Sequence, residues 1–168
     1  MKPFLLTVLL LLAGSTLFTP LSHAQRFEGT LSTGYLGFGK GASQFDIGPG
    51  IFYQPMPSWG WLQLGGELTY QKLAERGGST KNMLVMAGPV FNLSGSVLSD
   101  AYYISVGVSY KSGSSDLADP TAESANGIGT YVMFGRRITL ASTWSFRPSI
   151  GLAAGGIVFR PFAVSYRF

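Results

Sequence analysis

Residues 101–111 read AYYISVGVSYK. Successive side chains of an extended strand point to opposite faces. Tyr102, Ile104, Val106, Val108 and Tyr110 therefore share one face, and Tyr103, Ser105, Gly107, Ser109 and Lys111 share the other. The first face is wholly apolar or aromatic and the second is mostly small or polar. Such a period of two marks a strand lying between two different solvents.

The same alternation recurs on both sides of this stretch. In 27–38, Phe27, Leu31 and Tyr35 oppose Glu28, Thr30, Ser32 and Gly34. In 44–54, Phe45, Ile47, Ile51 and Tyr53 oppose Gln44, Asp46, Gly48 and Gln54. In 61–71, Leu62, Leu64, Leu68 and Tyr70 oppose Gln63, Glu67, Thr69 and Gln71. In 144–154, Trp144, Phe146, Ile150 and Leu152 oppose Ser145, Arg147, Ser149 and Gly151. At the end, Phe162, Val164, Tyr166 and Phe168 oppose Ala163, Ser165 and Arg167. Segments 82–93 and 126–138 also read as strands, but composition leaves their facing open. Eight strands are expected, at about 26–38, 43–54, 59–72, 82–93, 100–112, 126–138, 143–154 and 157–168. Each is long enough to cross a bilayer when tilted, which takes about 9–11 residues. The joints between them, such as GFGKGAS, AERGGSTKN and AAGG, carry turn chemistry. Pro49, Pro89, Pro148 and Pro161 fall inside strands and imply bulges or shifted limits, because proline cannot donate to a ladder.

Three features decide which face points outward. Small and charged residues share one face, and the chain is rich in glycine, with 23 in 168 residues, about twice the usual ~7%. Glycine suits the crowded interior of a narrow barrel. Aromatics sort by height: Phe27, Tyr53, Trp59, Trp61, Tyr102 and Trp144, with Phe52, Phe91, Tyr103, Phe146, Tyr166 and Phe168, fall near one rim. Tyr35, Phe38, Phe45, Tyr70 and Tyr110 form a thinner belt near the other. Two aromatic girdles mark the two interfaces of a membrane barrel. The strand number is even, and eight strands close a barrel whose interior is just filled by side chains. Closure satisfies every backbone group in lipid, which an open sheet does not. The expected fold is all-β, an eight-stranded antiparallel up-and-down transmembrane β-barrel.

The first residues read differently. Lys2 precedes the apolar run FLLTVLLLLA, and Ser22-His23-Ala24 offers small residues before a cut at Gln25. That is the order of a secretory signal peptide. The expected organisation is a cleaved signal peptide at 1–24 and a barrel domain at 25–168. No cysteine is present to carry a lipid anchor or disulfides. The basic residues are scattered, and no nucleic-acid groove is expected.

The closing segment FAVSYRF resembles the C-terminal signature of bacterial outer-membrane proteins, with Phe162, Val164, Tyr166 and Phe168 as its alternating apolar positions. The whole of 25–168 looks like the small eight-stranded outer-membrane barrels, the OmpA/OmpX-like group. The resemblance implies an outer-membrane location and a C-terminal signal read by the assembly machinery, with periplasmic chaperones on the way. It also implies outer-membrane lipids and lipopolysaccharide as surroundings, and a monomer.

No catalytic residue is expected. Activating a hydroxyl needs a base with a pKa near neutral, and the one histidine, His23, lies in the signal segment. No metal site or cofactor is expected; Asp116, Asp119 and Glu123 read as a solvated loop. The inward charges are the specific hint. Glu28, Asp46, Glu67, Lys111, Arg147 and Arg167, with one of Arg136 and Arg137, are expected to pair in an ionic network that fills the lumen. Lys40, Arg76 and Lys81 fall at the outer rim, within reach of lipopolysaccharide phosphates. The expected role is non-enzymatic: structural, surface-interacting or a narrow pore. The alternatives are a lipid-modifying outer-membrane enzyme and a soluble lipocalin-like carrier.

Overall fold

The computed structural model describes residues 26–37, 44–56, 58–75, 78–93, 100–115 and 126–168, with the side chains of 35–37, 44–46, 72–75, 78–80 and 115 excepted. The expected signal peptide lies outside the described residues, as do Phe38, Lys40, Arg76, Asp116, Asp119 and Glu123.

The described strands are β1 (Phe27–Gly37), β2 (Gln44–Tyr53), β3 (Leu62–Glu75), β4 (Gly78–Asn92), β5 (Ala101–Ser115), β6 (Gly127–Thr139), β7 (Trp144–Phe146), β8 (Ser149–Ala153) and β9 (Gly156–Arg167). All pair antiparallel with their sequence neighbours except β7 with β8, and β1 pairs with β9 to close the sheet. β7 and β8 are two halves of one barrel stave, since both pair with β6 on one side and β9 on the other. The result is an eight-stave closed barrel, with no helix among the described residues. The end that carries Phe27 and Phe168 is called basal below. Backbone bonds between Phe27 and Phe168 seal the seam there, at 3.2 and 2.9 Å.

Side chains sort as the alternation demands. Leu31, Ile51, Leu64, Tyr102, Val108, Ile150 and Phe162 lie on the outside, while Glu28, Thr69, Ser109, Arg147 and Ser165 are buried inside. The two segments of open facing are also settled. Asn82, Leu84, Met86 and Val90 point inward from β4, and Met83 and Val85 outward. On β6, Tyr131, Met133 and Arg137 point inward, and Val132, Phe134 and Arg136 outward. Apolar residues read as strand on both faces of β4 because the lumen wall there is itself apolar: Leu84 and Met86 pack with Tyr131, Met133 and Val158.

Strand limits differ from the expected ones where strands leave the apolar band. Residues 73–75 and 78–81 read as a joint but are paired, down to Glu75 opposite Gly78. The stretch is mostly small, polar or charged in sequence, so the alternation that signals a strand fades there. Trp59 and Trp61, expected within the third strand, sit in the turn before it, held by Trp59 N–H to Met56 C=O and Leu62 N–H to Trp59 C=O.

The four prolines have distinct effects. At Pro49 and Pro89 one neighbouring ladder skips two pairs and resumes in the same register. At Pro148 the seventh stave breaks into β7 and β8. At Pro161 the register shifts by one against both neighbours of β9. An extra residue in one strand reverses which of its side chains face inward beyond that point. Accordingly Gly156, Val158 and Arg160 point inward before the bulge, and Ala163, Ser165 and Arg167 after it. Arg160 would otherwise face hydrocarbon, at a cost of about 2–4 kcal/mol near the midplane.

The bulge requires close approach from β1. A Cβ on Gly34 would fall 2.0 Å from the Phe159 carbonyl oxygen and 2.8 Å from Arg160 Cα. Gly34→Val is therefore expected to prevent β1 and β9 from closing. The check is a heat-dependent gel shift, in which the variant loses the compact, fast-migrating band.

Candidate functional site

The inward charges gather in two places. At the basal mouth, Glu28 of β1 stands opposite Arg167 of β9 in the closing ladder. Its carboxylate is buried at 1% exposure. It accepts hydrogen bonds from Arg137 Nη2 at 2.8 Å, Gln63 Nε2 at 2.9 Å and Arg147 Nη1 at 3.2 Å. Arg167 Nη2 lies 3.7 Å from the same carboxylate. Arg137 Nη2 also donates to Gln63 Oε1 at 3.0 Å. One carboxylate thus joins β1 to side chains from β6, from the β7–β8 break and from β9.

Arg147 gains further compensation from two rings. Its guanidinium carbon lies 4.5 Å from the Phe52 ring centre and 4.7 Å from that of Tyr103. A cation over an aromatic face is stabilised by the ring quadrupole, by roughly 2 kcal/mol when desolvated. Tyr103 reaches this position because Gly135 leaves room: a Cβ there would meet the Tyr103 ring at 2.3 Å. Phe52 and Tyr103, at the height of the basal belt, therefore belong to the lumen.

Higher up, Glu67 of β3 is ion-paired with Arg160 of β9, whose Nη2 also donates to Thr69 Oγ1. A gap of about 20 Å³ separates the two groups, lined among others by Glu67, Tyr103, Ser105, Tyr131 and Arg147. That is room for about one water. The apolar cluster around Leu84, Met86, Tyr131, Met133 and Val158 fills the wall beside it. Asn82 and Gln71, bonded at 3.3 Å, and buried Lys111 lie toward the far end.

Of the residues singled out from sequence, Glu28, Arg147 and Arg167 come together, with Arg137 rather than Arg136 as the fourth member. Arg136 points outward and lies 5.6 Å over the Tyr102 ring. Glu67 stands apart and pairs with Arg160, which sequence reasoning missed. Counting back from Phe168 in steps of two places Arg160 outside. The signal that would have found it is Pro161, whose bulge resets the count. Lys111 is inward and buried, and the side chain of Asp46 is not described.

The outer surface carries its own pattern. Basal rings contact in series from Tyr53 to Phe27 at 4.9 Å, Phe27 to Phe168 at 6.1 Å, Phe168 to Tyr166 at 6.4 Å and Tyr166 to Trp144 at 4.8 Å. Trp59 lies 5.8 Å from Trp61, and Tyr102 lies 5.6 Å from Phe134. Phe162, Val164 and Phe168 are exposed along the outer face of the last strand, with Tyr166 half-buried between its ring neighbours.

No protein-family model matches the sequence, and no curated protein does. Solved structures do. Neisserial surface protein A is similar with a TM-score of 0.64 and 13% identity, covering 86% of this chain and 98% of that one. Ail, the attachment invasion locus protein of Yersinia pestis, is similar with a TM-score of 0.55 and 14% identity, covering 85% and 97%. Ail in complex with the heparin analogue sucrose octasulfate gives the same score. The chain has the fold of the small eight-stranded outer-membrane barrels. In this fold the apolar side chains form the exterior of the barrel, and the buried charges lie in its lumen.

Removing one partner of a buried ion pair leaves the other uncompensated and costs about 3–5 kcal/mol, whereas replacing both by apolar groups is often neutral. Glu28→Gln is expected to lose about that much, read from urea unfolding of the barrel in lipid vesicles. At the upper pair, Arg160→Met alone should destabilise by a similar amount. Adding Glu67→Met should recover most of the loss. A double variant no more stable than Arg160→Met would show that the pair is not coupled.

Proposed function

We propose that this protein is a non-enzymatic integral barrel of the bacterial outer membrane, exported behind a cleaved segment at 1–24, with a closed lumen. Its role is in envelope structure and surface interaction rather than conduction. The observation that carries this reading is the filled interior. Between the Glu28 group and the Glu67–Arg160 pair the gap is only about 20 Å³. A hydrated ion needs a continuous wet path, and a space for one water supplies none.

The hydroxyl chemistry of the interior favours a non-catalytic reading as well. Ser145 and Ser165 lie 2.6 Å apart, and Ser105 lies 2.9 Å from the Tyr131 hydroxyl. The charged neighbours of the serine pair are Arg137, Arg167 and the Glu28 carboxylate, which is itself taken up by the guanidiniums around it. A guanidinium stays protonated and does not act as a general base.

The outward-facing alternate positions Phe162, Val164, Tyr166 and Phe168 fit the role of an assembly signal presented along one edge before closure. Lys81 is exposed toward the far end, where lipopolysaccharide phosphates would meet it. Ail, which is similar in fold, has been solved in complex with the heparin analogue sucrose octasulfate, in keeping with an anionic partner for this protein.

The test is conductance in a planar bilayer, with protein extracted from membranes in detergent and shown to be folded by a heat-dependent gel shift. A silent bilayer is expected. Reproducible single-channel steps would replace the closed-lumen reading with that of a narrow pore.

A further inference from the structure

The basal end of the barrel presents two opposite charges that do not pair with each other. Arg136 points outward from β6 and is exposed. Its backbone is fixed at the break in the seventh stave, where its N–H donates to Pro148 C=O at 3.0 Å. Its guanidinium carbon lies 5.6 Å from the ring centre of Tyr102, its partner across the β5–β6 ladder. Tyr102 in turn stacks on Phe134 at 5.6 Å. No carboxylate among the described residues forms an ion pair with Arg136.

The acidic neighbour is Asp100, exposed at the residue before β5. Ala101 pairs with Arg137 and Tyr102 with Arg136, so Asp100 falls opposite Ile138 and on the diagonal from Arg136. Diagonal neighbours in a ladder stand about 7–8 Å apart, within reach of long side chains. Asp100 Oδ1 accepts the Thr139 N–H at 2.7 Å, which holds the carboxylate at the rim. An aromatic ring thus positions the cation and a backbone amide positions the anion. The guanidinium keeps its N–H donors, and the carboxylate keeps its second oxygen.

The surface around this pair is apolar: Tyr102, Phe134 and Leu140 are all exposed. Tyr102 belongs to the basal aromatic belt, the height at which an outward arginine on a membrane barrel is best tolerated. A ligand that suits the site carries an anion, a cation close to it, and an apolar body.

We propose that Arg136 and Asp100 hold the zwitterionic headgroup of a phosphatidylethanolamine from the leaflet at the basal end. Its phosphate accepts hydrogen bonds from the Arg136 guanidinium, its ammonium donates to Asp100 Oδ2, and its acyl chains lie along Tyr102 and Phe134. Two methylenes separate the phosphate from the ammonium, which suits side chains one diagonal apart. Phosphatidylcholine offers the same phosphate but no N–H to donate, and a glycerol headgroup offers no cation. The inference rests on the membrane reading above and adds the class of lipid to it.

The test uses the full barrel extracted in dodecyl maltoside, a detergent without phosphate, with its fold checked by the heat-dependent gel shift. Dioctanoyl phosphatidylethanolamine is expected to raise the apparent melting temperature by a few degrees, saturably, as a ligand bound only to the folded state does. Dioctanoyl phosphatidylcholine and soluble phosphoethanolamine are expected to give less than half of that shift. Equal shifts with the two lipids would overturn the site, because the ammonium would not be read. An equal shift with phosphoethanolamine would overturn a lipid as its occupant. These comparisons need only the unmodified protein. Arg136→Gln and Asp100→Asn, the latter keeping an oxygen for the Thr139 N–H, are each expected to abolish the preference for ethanolamine over choline. A preference that survives both would place the lipid elsewhere and refute the proposal. Protein released from membranes by a salt wash alone would remove the membrane reading and this site together. A barrel that needs detergent but shows no shift with phosphatidylethanolamine would remove only the site.

Discussion

Hydrocarbon accepts no hydrogen bond and tolerates no charge, and almost every choice in this chain answers to that. The backbone must pair with itself all the way round, so β1 has to meet β9. The outer face must be apolar at every second residue, so polar chemistry is confined to a cylinder too narrow to hold much water. Glu28 lies where these demands intersect. It belongs to the closing strand pair, and its carboxylate gathers arginines from three other parts of the wall. Glu28 and Arg167 belong both to the closing strand pair and to the basal ionic group.

The interior is not uniform. Its basal third is ionic and aromatic, with Arg147 held between Phe52 and Tyr103. Its middle joins one ion pair to an aliphatic and methionine-lined wall. Such a filling does not by itself stabilise the barrel, since buried ion pairs repay little of their desolvation. It does give β1 and β3 specific partners on the far side of the barrel.

Much of this was legible in the sequence, and the reason is the sharp contrast between lipid and lumen. Where a strand separates those two media, as at 101–111, alternation reports its facing directly. Where the contrast fails, the sequence is silent. On β4, Leu84 and Met86 line an apolar patch of lumen while Met83 and Val85 face lipid, so both faces look alike. At 73–75 and 78–81 the sequence does not alternate, and paired residues read as a turn. Arg160 was hidden for another reason. A period-two count is only as good as its phase, and Pro161 resets the phase within a single strand. The grouping of charges was beyond reach for a similar reason: alternation fixes the facing of Glu28 and Glu67 but not which arginine stands across the cylinder from each.

The sharing of Glu28 has a kinetic side. Its bonds to Arg137 and Arg147 span 109 and 119 positions of the chain. Contacts of such long range form only after most of the intervening chain is already ordered, and folds dominated by them are slow to reach. The basal cluster is thus a late event, complete only when the first strand and the last have met.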